Sequence, residues 1–185
     1  MNYLALDQAT HTGYAIFNSK HKLIKYGMYE LRGEDFVDKA LDMDLFLTKI
    51  CKRYKINVII HEKPFGGPPR SLIPLKTFES RIDRYCKLNK IPVTGYYPAS
   101  WRSILGLSST NKNLAKKAAI DYVDSTLHIN FTNHDDISDA ICIGLAYFKQ
   151  LKTGIETPPN IVTKSKKKSK SKLTNINKRL IENSD

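Results

Sequence analysis

Four acidic residues stand where ordinary surface charge is not called for: Asp7, Glu62, Asp136 and Asp139, the last two within Asp135-Asp136-Ile137-Ser138-Asp139. Asp7 closes the apolar run Tyr3-Leu4-Ala5-Leu6, and Glu62 follows Val58-Ile59-Ile60-His61. Asp136 and Asp139 open a segment that turns almost wholly apolar. Carboxylates gathered at one point repel each other and are costly to desolvate unless something compensates. A hard divalent cation with oxygen ligands does so, and the expected ion is Mg2+, with Mn2+ able to substitute. Two such ions about 4 Å apart, bridged by Asp7, would activate a water and steady the 3′-oxygen leaving group of a phosphodiester.

The surroundings have the opposite sign. The chain has 185 residues, with 30 Lys and Arg against 18 Asp and Glu and a formal net charge of +12. Such an excess favours a nucleic acid or other polyanion as partner. Cations at the acidic centre would also offset its repulsion of a phosphate. A binding-only architectural protein would explain the positive charge but not the acids. A nuclease acting on RNA–DNA hybrids could use the same four carboxylates and is the nearer alternative. An actin-like ATPase or sugar kinase also begins with an Asp-to-Gly strand turn, but it needs a duplicated domain, and the chain has no Gly-rich Walker run.

Elements that could bring the four acids together can be read from periodicity. Residues 3–7, 13–17 and 23–31 predict three strands in a hairpin or meander. Phe36, Ala40, Met43, Leu47 and Ile50 recur at helical spacing and predict an amphipathic helix over 34–52. Val58-Ile59-Ile60 then reads as a buried strand parallel to the first. A turn-rich stretch, Pro64-Phe65-Gly66-Gly67-Pro68-Pro69, precedes a helix over 70–88. Residues 91–97, with Pro92 near their start, predict an outer strand. Helices follow over 99–106, 112–124 and 134–152. The expected architecture is α/β: a mixed five-stranded sheet with helices on both faces and the third strand antiparallel.

In open α/β sheets, sites form beyond the carboxyl ends of adjacent strands, which would bring Asp7 and Glu62 together. Asp136 and Asp139, three residues apart on one helix face, would lie over those strand ends. Each acid also has a plainer role open to it. Asp7 could tie down the Thr10 to Gly13 turn, and Glu62 could pair with a neighbouring cation. Asp135 reads as the helix N-cap or as the alternative to Asp136 as a ligand, while His134 could cap, donate to a phosphate or act as a base.

Residues 1–152 form the expected nuclease domain and 153–185 a disordered basic tail, where 8 Lys and Arg face 3 Asp and Glu amid Lys/Ser alternation. Cys51, Cys86 and Cys142 are odd in number, lack metal-ligand spacing and read as core thiols in a reducing compartment. No basic, apolar leader begins the chain and no apolar run approaches about 18 residues, so neither secretion nor a membrane span is expected. The expected location is cytoplasmic.

Leu4-Ala5-Leu6-Asp7 followed by Thr12-Gly13-Tyr14-Ala15 resembles the opening of RuvC-type Holliday junction resolvases in the ribonuclease H-like superfamily. Ile59-Ile60-His61-Glu62-Lys63-Pro64-Phe65 resembles their second acidic strand, and Asp136-Ile137-Ser138-Asp139-Ala140 their last helix start. Tyr97-Pro98-Ala99-Ser100-Trp101-Arg102, then Gly106 and Lys112 to Lys117, is similar to the family's passage from its last strand into a basic helix. The likeness spans about residues 1–150. The Gly- and Pro-rich loop after Glu62 and the link near Gly106 depart from cellular members, and the compact chain looks more like a phage-encoded one, which would act in the host cytoplasm.

The resemblance implies a homodimer that binds four-way and possibly other branched DNA and nicks it symmetrically, with two metal ions per site held by Asp7, Glu62, Asp136 and Asp139. It assigns Phe65 to opening the junction centre and Lys117, with Lys116 as alternative, to a functional basic position. Arg70, Lys76, Arg81, Arg84 and Lys112 join them as expected phosphate contacts. Trp101 and Tyr97 are expected to pack rather than to stack on bases.

Overall fold

A computed structural model of the chain describes residues 1–107, 111–128 and 135–154. The expected tail lies, from residue 155 onward, outside the described residues, as does His134. Strands β1 (Asn2–Asp7), β2 (His11–Phe17), β3 (Leu23–Glu30), β4 (Ile56–Glu62) and β5 (Val93–Tyr96) form one sheet in the order β3-β2-β1-β4-β5. Helices α1 (Phe36–Tyr54) and α2 (Pro69–Asn89) connect β3 to β4 and β4 to β5. Helices α3 (Pro98–Leu105), α4 (Lys112–Leu127) and α5 (Asp135–Thr153) follow the last strand.

The mixed five-stranded sheet is as expected, with one correction. β1 pairs antiparallel with β2, and β2 antiparallel with β3, so two successive reversals return β3 to the direction of β1. β4 and β5 run parallel to β1 as well, so β2, not the third strand, opposes the other four. β5 lies at the edge, where Pro92, just before it, breaks no internal ladder.

The two-residue period of the strands divides the core. Tyr3, Ala5, Ala15, Phe17, Val58 and Ile60 pack on the face covered by α3, α4 and α5. Leu4, Leu6, Ile16 and Ile59 pack on the other face, against α1 and α2. By the same alternation Asp7 and Glu62 fall on the face of α3 and α5. Cys51, Cys86 and Cys142 are free and buried. Among the described residues no helix is long and apolar enough to cross a membrane.

Local signals explain the helix ends. Asp35 caps α1 by accepting from the Val37 and Asp38 amides at 2.8 and 2.9 Å. Asn111 does the same for α4. Pro69 and Pro98 stand in the first turns of α2 and α3, where a missing N–H costs nothing. Pro74 lies within α2 yet leaves it unbroken, close enough to the helix start that only one early carbonyl loses its partner.

Helix α5 lies unusually close to the sheet, and two glycines permit this. A Cβ on Gly13 would overlap the carbonyl of Asp136, and one on Gly144 would overlap the ring of Phe17. Gly13 sits opposite Asp7 in the β1–β2 ladder. The contact that seats the first turn of α5 therefore also sets Asp136 beside Asp7. We predict that Gly13→Ala costs about 3 kcal/mol, since neither backbone can yield without lifting the helix. Chemical denaturation measures this, and a variant as stable as the parent would contradict the close seating.

Candidate active site

Asp7 ends β1, and Glu62 ends the neighbouring parallel strand β4, one residue beyond the Leu6–His61 pairing. Asp136 and Asp139 lie in the first turns of α5 above them. Asp7 and Glu62 keep some exposure at the strand ends, whereas Asp139 is buried. Asp7 is held well above the ordinary aspartate range, first by burial and then by the charges of Glu62, Asp139 and Asp136, with Arg102 pulling the other way. Asp7 is thus within Coulomb reach of each of the other three acids predicted from sequence.

Burial also raises Glu62, against the opposing effects of a Trp101 hydrogen bond and of Arg102. Burial pushes Asp139 up to about 7, with Arg102 lowering it and Glu62 and Asp135 raising it. Asp42 shows the contrast of an acid whose needs are met. Burial raises it too, but the Arg32 amide at 2.9 Å, the Tyr29 hydroxyl at 3.0 Å and the Arg32 guanidinium at 3.2 Å hold it below the usual range. The raised acids mark a centre short of positive charge.

Three side chains donate to the acids, two of them cationic. Trp101 Nε1 donates to Glu62 Oε2 at 2.7 Å, Arg102 Nη2 donates to Asp139 Oδ2 at 2.9 Å, and Lys116 Nζ donates to Asp135. Among the described residues no three His, Cys, Asp or Glu side chains are arranged to hold a metal ion as they stand. The second Asp139 oxygen, Oδ1, is nevertheless buried with no hydrogen-bond partner. An orphaned carboxylate oxygen, beside acids whose pKa values are raised, fits an all-oxygen site for a hard divalent cation.

Neighbouring basic residues divide into engaged and exposed ones. On α4, Lys116 engages Asp135 and its pKa is raised first by that bond, burial opposing, and then by the charges of Asp135, Asp136 and Asp139. Lys117 is exposed, and the side chain of Lys112 lies outside the described residues. The Lys116 bond holds Asp135 below its usual range, and of the two, Asp136 is the one whose charge raises Asp7. Asp135 lies in the first turn of α5.

On α2, Arg70 is exposed at the helix start. Lys76 donates to Glu79 at 2.7 Å. Arg81, expected as a phosphate contact, is instead 24% exposed and paired with Asp44 of α1, while Arg84 lies 3.8 Å from the same carboxylate. The polar flank of α2 faces α1 there, so Arg81 joins two helices. Phe65, in the loop between β4 and α2, is 74% exposed and meets the Tyr97 ring edge to face at 5.6 Å. Lys63 Nζ lies 5.6 Å from that ring's centre.

Sequence reasoning placed Trp101 in the core, which is right, but missed its bond to Glu62. It gave Arg102 no role at the acids. The available signal was their position: a Pro-started helix directly after the strand that neighbours Glu62.

No family model matches the sequence, and no curated protein does. Solved structures do. RuvC of Thermus thermophilus superposes with a TM-score of 0.69 at 15% identity, covering 86% of this chain and 100% of that one. T. thermophilus RuvC in complex with Holliday junction substrate gives 0.68 at 13%, covering 86% and 99%. Fowlpox virus resolvase in complex with substrate Holliday junction DNA gives 0.58 at 19%, covering 82% and 99%. The yeast mitochondrial Holliday junction resolvase Ydc2 gives 0.56 at 18%, covering 82% and 80%. The fold is therefore the one these solved structures share.

The raised acids carry a consequence for stability. Because the folded state holds the Asp7 proton to higher pH than the unfolded chain does, folding stability falls as pH rises from the ordinary aspartate value through the folded one. Asp7→Asn removes that titration. In metal-free protein it is expected to raise Tm by about 2 to 8 °C at pH 8, with the gain shrinking toward pH 4. A gap independent of pH, in thermal melts across that range, would contradict the crowding of charge at Asp7.

Proposed function

We propose that this chain is a divalent-metal-dependent endodeoxyribonuclease that resolves four-way DNA junctions by paired nicks. The observation that supports this best is the convergence of Asp7, Glu62, Asp136 and Asp139 at one end of a resolvase-type sheet, with an orphaned Asp139 oxygen among them. Those four side chains would hold Mg2+, or Mn2+ in its place, as an ion pair in the site. When bound, the metal supplies activation of the attacking water and neutralisation of charge on the leaving oxygen.

The rest is the work of the chain's own residues. Asp7 and Glu62, partly exposed at the strand ends, face the approaching phosphate. Asp139 anchors from the buried side, held by Arg102. Lys116 draws Asp135 aside and keeps a positive charge near the centre. Arg70 and Lys117, exposed on α2 and α4, hold backbone phosphates and set register. Phe65, projecting from the loop after Glu62 and braced by Tyr97, wedges between or stacks on bases at the junction centre. Symmetric nicking of two equivalent strands needs two equivalent sites, and a homodimer provides them.

A panel of synthetic substrates tests this: a four-way junction, a flap, a plain duplex and an RNA–DNA hybrid, each with Mg2+ and with Mn2+. The junction is expected to be nicked in preference and only with metal. Asp7→Asn and Glu62→Gln should each slow nicking about a thousandfold, as the loss of several kcal/mol of transition-state stabilisation implies, while sparing junction binding. Normal nicking by either variant would contradict the proposed chemistry, and preferential hybrid cleavage would replace the resolvase reading.

A further inference from the structure

We propose that Trp101 is a positioning residue for Glu62. Its indole N–H fixes Oε2 and leaves Oε1 as the oxygen offered to a cation. This rests on the reading of Glu62 as a metal ligand. Tyr96 pairs with Glu62 across β4 and β5, and α3 starts immediately after it, with the Trp101 amide bonded to the Tyr97 carbonyl at 3.2 Å. The first turn of α3 is therefore brought beside the Glu62 carboxylate by the strand pairing itself.

The indole is held from both sides. Trp101 is 0% exposed, packed in the core cluster beneath α5. The Arg102 guanidinium lies 4.3 Å from the ring centre, while its Nη2 bonds Asp139. Two adjacent residues on one turn thus hold two acids, and the stacked guanidinium limits the swing of the ring.

Packing alone does not call for this arrangement, because a phenyl ring fills a core without a donor. The indole N–H is a donor only; it neither titrates nor ligates, and once buried it must find an acceptor. A Lys or Arg in its place would add a positive charge against an incoming cation. A neutral donor orients Glu62 without that competition, and its bond to a carboxylate is of the stronger, charge-assisted kind.

Trp101 is the single tryptophan of the chain, so the full-length protein gives one indole N–H resonance. That signal is expected to exchange slowly with solvent, to move in Glu62→Gln and to move saturably as Mg2+ is added. Trp101→Phe is expected to weaken Mn2+ binding, measured by calorimetry, about tenfold. In a Glu62→Gln background the same change should cost nothing further, because the two act through one contact. An indole signal indifferent to Glu62→Gln overturns the proposal. So does a Trp101→Phe penalty of equal size in both backgrounds, which would be a packing effect. If Trp101→Phe fails to fold, the resonance decides alone. If the wild-type chain binds neither Mg2+ nor Mn2+, the metal reading falls and this inference with it. If the chain binds metal and Trp101→Phe binds it as tightly, only the role of Trp101 is lost.

Discussion

The mutual repulsion of Asp7, Glu62, Asp136 and Asp139 is the constraint on which the rest of this structure depends. Two of these acids are delivered by the ends of adjacent parallel strands, and two by a helix that must come down almost onto the sheet to reach them. Gly13 makes that approach feasible by having no side chain where the Asp136 carbonyl lies. The nearly apolar body of α5, packed on β1, β2 and β4, provides the burial that holds the helix there against the repulsion at its first turn. An acidic centre can be kept this tight only because the element carrying half of it is otherwise core.

Trp101, Arg102 and Lys116 temper the repulsion without cancelling it. Asp42 shows what cancellation looks like in the same protein, with donors from Arg32 and Tyr29 and a pKa below the usual range. Asp139 has a donor on one oxygen and none on the other, and its pKa stays high. That open oxygen, unlike the satisfied carboxylate of Asp42, lies among other acids, which is consistent with a site whose remaining charge comes from a ligand. In the proposed function the +12 net charge would serve a different task, holding a polyanion around a negative point.

Much of this was readable in the sequence because it depends on local rules. An apolar run ending in an acid gave the β1 and β4 ends, and the 3.6-residue period gave α1 and α5. Pro92 gave β5 its edge position. The direction of β3 was misread: the antiparallel step is relative to its neighbour β2, and two reversals make it parallel to β1. Arg81 was read as a phosphate contact because periodicity tells which flank of a helix is polar, not which other helix that flank meets. Lys116 and Lys117 could not be ranked from spacing, since one residue of helical rotation separates a contact with Asp135 from open water. The Trp101–Glu62 bond joins residues 39 apart through a strand pairing, and no one-dimensional signal carries it.

Whether these four carboxylates form a cation site is decided by anomalous diffraction from crystals of the chain grown with Mn2+. A manganese peak is expected among Asp7, Glu62, Asp136 and Asp139, with Asp139 Oδ1 turned to it and Asp135 still bound by Lys116. Ordered side chains in the arrangement described, with no peak among them at saturating Mn2+, would contradict such a site.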